Sequence, residues 1–468
     1  MFILNLNFKD LPKFLTHPTL KSNTGVMYLV LLVCLFLLLC FAMSRKSSCK
    51  VYLIDFVCYK PPASQKSSKE FIVKQATQHG YFKQELLDFM KNFLERCGVG
   101  DSAYLAEPYL EQTYKPLMKD ARREVEMAIF GSLDMLLKKT GVKTDSIGIL
   151  IVNCCVYNTA PCLSSMIVNR YKFREDIITY NLTGMGCSAG LRATGLAKQL
   201  LQVHHNSYAL IVSTEGITEN YYRGKDRSKI LCNCLFRVGG AAILLSNRIS
   251  DHNNSKYEFL HVIHSNTSRS DRFYNSIVRE EDDAGFLGIN INRDLLAAAI
   301  ATIRPNIITV GHLILPITEK VSYQINYIIR KLIPSLNLQQ YIPNFNSTVD
   351  HFLPHVGGKP VLDDLQQTLS LSDEVMEASR TTLYRFGNTS SSSIWYELAY
   401  VEAKGRVKEG DMVWQIAFGS GFKCSSVIWR AMKTVDLGDE SNPWTDEIAE
   451  FPVYVNCEPV PYEFAPSK

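Results

Sequence analysis

The sequence predicts an α/β fold of two similar halves behind an N-terminal membrane anchor. Three observations carry this: short apolar runs alternate with stretches of helical period, a turn of small residues opens a helix in each half, and one uncharged apolar run stands near the N-terminus. The 468 residues are 46% hydrophobic and 21% charged, a globular composition able to bury a large core. A net charge of +4 is small for this length and gives no reason to expect nucleic acid. The 13 cysteines are dispersed, odd in number and without zinc-type spacing, so a reduced chain holding no metal is expected.

In chain order, residues 1–25 mix Phe2, Leu6, Phe8 and Leu11 with lysines and read as a short interfacial segment or a plain tail. Residues 26–43 form the uncharged run, about 27 Å long at 1.5 Å per residue, enough for a transmembrane helix. Arg45, Lys46 and Lys50 follow it and place the rest of the chain on the cytosolic side. Residues 44–100 are expected to be a juxtamembrane connector carrying a strand at 51–57 and a helix at 82–97. The first half, 101–250, has helices at 121–139 and 160–171 and strands at 147–152, 176–180, 208–213 and 238–246. The polar stretch 251–272 reads as the boundary. The second half, 251–436, has a strand and loop at 351–358, helices near 361–368 and 394–404, and a strand at 413–418 ending in Gly419-Ser-Gly421. Residues 437–468 are left as a tail. Strands separated by helices at this spacing argue for a mainly parallel sheet covered on both faces.

The chemistry concentrates at Gly184-Met-Gly-Cys187-Ser-Ala-Gly190, between a strand and a helix marked by Leu191, Ala193, Leu196, Ala197, Leu200 and Leu201. The glycines permit a sharp turn. A cysteine at a helix start feels the positive end of the helix dipole, which favours its thiolate. The alternative is a small buried cysteine of the core. Gly387-Asn388-Thr389 opens a helix in the same way in the second half, so a duplicated unit sets Cys187 and Asn388 at equivalent helix starts; the plainer role for Asn388 is an N-cap. His351 and His355 have the spacing of a helical metal pair, but Pro354 between them speaks against a helix. His355 instead falls in a loop after a strand, where sheet proteins place reactive groups.

Together with His355-Val-Gly-Gly358, Arg385-Phe-Gly-Asn388-Thr-Ser-Ser-Ser-Ser393 and Trp395-Tyr-Glu-Leu-Ala-Tyr400, the Cys187 motif resembles plant 3-ketoacyl-CoA synthases, the condensing enzymes of very-long-chain fatty acid elongation. Stretches at 51–61 and 228–247 and Gly419-Ser-Gly-Phe-Lys-Cys424 match as well, so the resemblance covers nearly all of residues 26–432. It implies a thiolase-like, duplicated, five-layered α/β fold and a Cys-His-Asn triad that maps onto Cys187, His355 and Asn388. It further implies acyl-CoA and malonyl-CoA as substrates with no additional cofactor. It places a homodimer at the endoplasmic reticulum membrane, its catalytic part facing the cytosol, beside the reductases and dehydratase of an elongase.

The chain departs from the family pattern in places. A histidine common after the boundary is replaced by Asn266, with His261 and His264 just before it. The stretch usually written His-Phe-Cys-Ile-His-Ala-Gly-Gly-Arg reads His351-Phe-Leu-Pro-His355-Val-Gly-Gly-Lys359, and His312 stands where proline is usual. One hydrophobic segment is present where two are general. His351, His264, Asn266, Gly419 and Gly421 are therefore carried as supporting positions. The changes around His355 motivate a second reading, a weakly active or non-catalytic paralogue that modulates a partner synthase. A type III polyketide synthase shares the fold and triad, but the anchor at 26–43 disfavours it. A degradative thiolase needs a second catalytic cysteine, and Cys424 is read as structural.

Overall fold

Alternate residues of each central strand go to different cores, and this period of two builds the architecture. In a computed structural model, which describes Leu31, Cys34, Leu35 and residues 49–453 except 112, 113, 115, 116, 340, 342, 436 and 437, nine strands form one sheet. They are β1 (Tyr52–Cys58), β2 (Ile147–Asn153), β3 (Ile178–Leu182), β4 (Tyr208–Thr214), β5 (Gly240–Ser246), β6 (Tyr257–Asn266), β7 (His351–Pro354), β8 (Met412–Gly419) and β9 (Lys423–Ala431). Their order is β7-β8-β9-β6-β1-β5-β4-β2-β3. The sheet folds over at the β1–β6 seam, where only Tyr52↔Glu258 and Leu53↔Tyr257 pair.

Two helices fill the fold of that sheet: α5 (Ala189–Val203), following Cys187, and α11 (Ser393–Ala403), following Asn388. Ile149 and Ile151 of β2, and Val413 and Ala417 of β8, point into this central core. Leu150 and Val152 point the other way, against α3 (Met118–Thr140) and α4 (Leu163–Tyr171). Trp414, Ile416 and Phe418 point outward against α7 (Leu295–Ile314) and α9 (Lys359–Leu369). The result is five layers: helices, half-sheet, helices, half-sheet, helices. The described residues from Lys50 onward form one compact unit, because the two half-sheets share the middle layer.

Several expectations are corrected. The sheet is mixed, not mainly parallel: β2–β3, β2–β4 and β7–β8 are parallel, whereas β1–β5, β4–β5, β1–β6, β6–β9 and β8–β9 are antiparallel. The polar boundary at 251–272 contains β6, a strand along which β9 runs; His261, His264 and Ser265 conceal the alternation of Tyr257, Phe259 and Ile263. The connector at 44–100 supplies β1 at the seam and two helices, α1 (Lys69–His79) and α2 (Gln84–Arg96). The tail packs as far as residue 453: Trp444 is buried and donates to Tyr396 O at 2.9 Å, and Glu447 pairs with Arg385 at 2.7 Å. Helices α6 (Arg227–Leu235), α8 (Ile317–Leu332) and α10 (Asp373–Phe386) and strand β9 were not among the expected elements. The anchor at 26–43 lies outside the described residues apart from helical Leu31, Cys34 and Leu35.

Charge holds the seam to the middle layer. Buried Lys256 lies 2.8 Å from Glu402 of α11 and 3.0 Å from Asp55 of β1, and the Tyr257 hydroxyl donates to Glu402 at 2.8 Å. Replacing Glu402 by alanine removes the nearer of the two carboxylates that pair the buried Lys256 ammonium and leaves the Tyr257 hydroxyl without its acceptor. The expected outcome is a loss of about 3–5 kcal/mol of stability, read as a lowered thermal unfolding midpoint.

Candidate active site

Cys187 sits in a one-turn 3-10 segment, Gly186–Ser188, that leads directly into α5. Gly184 and Gly186 take positive φ values of 64° and 56°, which a side chain at either position would resist. The mirror arrangement holds at Asn388: Ser390–Ser392 is a 3-10 turn that leads into α11. Asn388 is pinned by a parallel bridge to Phe236, by Asn388 N–H donating to Leu235 O at 3.2 Å, and by Arg237 N–H donating to its own carbonyl at 2.9 Å. The two helix starts are in contact, since a Cβ on Gly190 would stand 2.4 Å from the Ser391 carbonyl oxygen.

His355 is the first residue after β7, held by its N–H to Ile416 O at 2.9 Å and by Gly357 N–H donating to its carbonyl at 2.8 Å. Its ring meets Phe418 edge-on with centroids 5.6 Å apart. The loop after β8 closes the site: a Cβ on Gly419 would lie 2.6 Å from the Cys187 nitrogen, and one on Gly186 would lie 2.6 Å from the Ser420 nitrogen. Cys187, His355, Asn388, Gly419 and Gly421 thus line one cavity of about 410 Å³.

The remaining supporting positions are elsewhere. His351 is at the far end of β7, where its Nε2 pairs with Asp411 at 2.8 Å. His264 is on β6 with Nδ1 2.9 Å from Ser425 Oγ, and Asn266 is exposed and accepts from Ser268 N–H at 3.0 Å. None of the three lines the cavity. The departures near His355 are absorbed locally. Pro354 ends an edge strand, where a missing N–H is tolerated. Val356 is buried among Cys97, Leu235 and Leu362, and Lys359 pairs with Asp363 at 2.7 Å.

The electrostatics differ from the expectation of a dipole-stabilised thiolate. Burial pushes the Cys187 thiol up to about 12; a hydrogen bond with Ser390 opposes this, while the Glu215 carboxylate reinforces it. Burial likewise pushes the His355 imidazole down to about 3, so it is neutral at physiological pH. Among the described residues neither of its ring nitrogens has a partner. The Asn388 Oδ1 accepts from Ser390 N–H at 2.8 Å, which leaves its amide N–H₂ as the group free for a ligand.

Sequence reasoning missed Glu215 and Ser390. Glu215 accepts from Val156 N–H at 2.9 Å, from Cys155 N–H at 3.1 Å and from the Ser390 hydroxyl at 2.9 Å, and it lines the same cavity. The available sign was an acidic residue just beyond the buried strand β4, the end at which α/β sheets carry their chemistry. Because the Glu215 charge disfavours the thiolate, Glu215→Gln is expected to lower the Cys187 pKa and speed its alkylation several-fold, by the ordinary link between thiolate fraction and rate. In the unsubstituted chain that alkylation rises about tenfold per pH unit up to its pKa. Mass spectrometry of the Cys187 peptide after timed iodoacetamide treatment checks both.

Residues 41–332 match the family model described as FAE1/Type III polyketide synthase-like protein, and residues 345–431 match 3-Oxoacyl-[acyl-carrier-protein (ACP)] synthase III C terminal. Among known relatives, the 3-ketoacyl-CoA synthase 11 of Arabidopsis thaliana is 47% identical over 453 residues, covering 97% of this chain and 88% of that one. The 3-ketoacyl-CoA synthase 2 of the same plant is 49% identical over 412 residues, covering 87% and 78%. Among solved structures, the tetrahydroxynaphthalene synthase of Streptomyces coelicolor superposes with a TM-score of 0.64 at 18% identity, covering 82% of this chain and 99% of that one. A fungal type III polyketide synthase gives 0.63 at 17% identity, covering 81% and 99%. These structures share the fold, and the sequence relatives place the chain: it belongs to the 3-ketoacyl-CoA synthase family.

Proposed function

We propose that the chain is a condensing acyltransferase that joins a long-chain acyl-CoA to malonyl-CoA, releasing CO₂ and CoA and leaving a 3-ketoacyl-CoA two carbons longer. The observation that supports it most directly is the convergence of Cys187, His355 and Asn388 on one cavity within a chain of this family. In the resting site the sulfur is protonated and the imidazole neutral. Attack of the Cys187 sulfur on the acyl thioester passes its proton to His355, forms the acyl–sulfur bond and breaks the bond to CoA, whose thiolate takes the proton back. Malonyl-CoA then loses CO₂, and the electron pair of the broken bond becomes an enolate. A neutral His355 N–H and the Asn388 amide are the two donors facing the cavity that can hold the enolate oxygen. Its carbon attacks the acyl thioester, the bond from the acyl carbon to Cys187 breaks, and the released thiolate takes a proton from solvent to restore the resting thiol. The Cys187 backbone N–H at the helix start is the donor for the tetrahedral steps. No step calls for a metal or a further cofactor.

The apolar run at 26–43 supports a retained anchor in the endoplasmic reticulum membrane, with Lys50 onward in the cytosol. The reductases and dehydratase that complete an elongation cycle are the expected partners, since the 3-ketoacyl product must still be reduced and dehydrated. A homodimer is expected at the free edge of β3, where Tyr180 is exposed.

Three outcomes are expected. Cys187→Ala forms no acyl-enzyme when intact mass is measured after incubation with acyl-CoA; an acyl adduct on that variant would refute the assignment of the nucleophile. His355→Ala and Asn388→Ala each lose about 10²–10³-fold in kcat in a microsomal assay with labelled malonyl-CoA and acyl-CoAs of graded length. Absence of product with every primer would instead favour the modulating-paralogue reading. Since burial depresses the His355 pKa to about 3, the neutral form persists across the physiological range, and the rate–pH profile shows no acid limb near the ordinary histidine value of about 6.5.

A further inference from the structure

Helix α8 is sixteen residues long and has no buried residue, although a helix of this length depends on packing of an apolar face for its stability. That face is present but turned to solvent. Ile317, Val321, Ile325, Ile328 and Leu332 recur at intervals of four, four, three and four residues, one stripe of a helix, and are between 50% and 77% exposed. Exposed Leu313 of α7 and Leu336 extend it on either side. The opposite side of α8 ties the helix down through polar groups: Asn326 donates to Gln339 O at 3.1 Å, and Glu319 accepts from the Tyr341 hydroxyl at 2.8 Å.

On α8 the charges flanking the stripe, Lys320 and Lys331, are both basic, and a carboxylate beyond the helix, Asp364 of α9, faces the cavity that Lys320 also lines. Between residues 295 and 339 the basic residues are Arg304, Lys320, Arg330 and Lys331, and the single acidic residue, Glu319, is engaged by Tyr341. A second copy seated face to face would set Lys320 against Arg330 and Lys331, which like charges oppose. A bilayer with anionic headgroups satisfies both the stripe and the basic flank, as an in-plane amphipathic helix does. A cavity of the interior lies behind this helix. A second cavity of about 350 Å³ is lined by Lys320 and Tyr323 of α8 and by Ile300, Ile303 and Ile307 of α7, and it shares Ala299 and Val361 with the catalytic cavity.

We propose that the apolar stripe of α8 is a lipid-binding surface that seats the catalytic body on a phospholipid bilayer, separately from the anchor at 26–43, and brings the second cavity to the acyl-chain layer. The four native tryptophans are all buried, out of contact with a bilayer surface, so the signal of a tryptophan added on the stripe is its emission after subtraction of the unsubstituted chain's. The full chain carrying Ile325→Trp or Ile328→Trp is reconstituted in vesicles of phosphatidylserine and phosphatidylcholine, the latter brominated on its acyl chains. The added tryptophan is expected to lose about half its emission, as a side chain inserted to the acyl boundary would. Met118→Trp, an exposed site on α3 in the opposite outer layer, is expected to keep its emission. A chain that sediments with the vesicles while both stripe tryptophans stay unquenched overturns the inference. Unquenched emission that shifts blue with protein concentration also overturns it and assigns the face to a second copy. The reading needs no turnover, so it stands or falls apart from the condensing activity.

Discussion

The contact between Gly190 and the Ser391 carbonyl, where a Cβ would come within 2.4 Å, is the constraint on which the site depends. Backbone meets backbone there, so neither partner can yield by changing rotamer, and any larger residue would drive the two helix starts apart. That contact sets Cys187 against Asn388 although they are two hundred residues apart in the chain. The loop after β8 obeys the same rule at Gly419, and β7, parallel to β8, then delivers His355. Hydroxyls carry the junction across: Ser391 donates to Asn153 at 2.6 Å and Ser390 to Glu215 at 2.9 Å. The polar seam between two apolar half-sheets is therefore satisfied by hydrogen bonds instead of being left as a buried cost.

Burial sets the electrostatics of the cavity. Position at a helix start favours a thiolate by an amount that falls off within one turn, whereas desolvation acts on the whole charge, and at Cys187 desolvation prevails. The same desolvation holds His355 neutral. Glu215 is also pushed up by burial, yet it accepts two backbone N–H bonds, which makes it the residue best placed to keep the sulfur protonated. A protonated thiol beside a neutral imidazole is a resting state in which oxidation and alkylation are slow.

The legibility of the chain followed its local physics. The strand at 147–152 and the helix at 121–139 were readable because their apolar period is unbroken, and both are found within a few residues of the expected bounds. The Cys187 turn was readable because glycines at positive φ are written in the sequence itself. Strand β6 was not, since the polar residues that interrupt its alternation face partners that only the fold supplies: His264 meets Ser425 of β9 and Gly195 of α5, and the Ser265 hydroxyl donates to Thr302 of α7. Helix α8 has a strong helical period whose direction, outward, cannot be read from the period.

What the sequence by itself determined is the set of local elements, the two helix-opening turns and, through its motifs, the family. What only the tertiary structure decided is which distant residues share a cavity: Glu215 and Ser390 enter it, while His351, His264 and Asn266 do not. The physical reason is that strand direction and layer stacking are set by contacts between half-sheets far apart in sequence, and the pKa values of buried groups are set by how completely those layers exclude water.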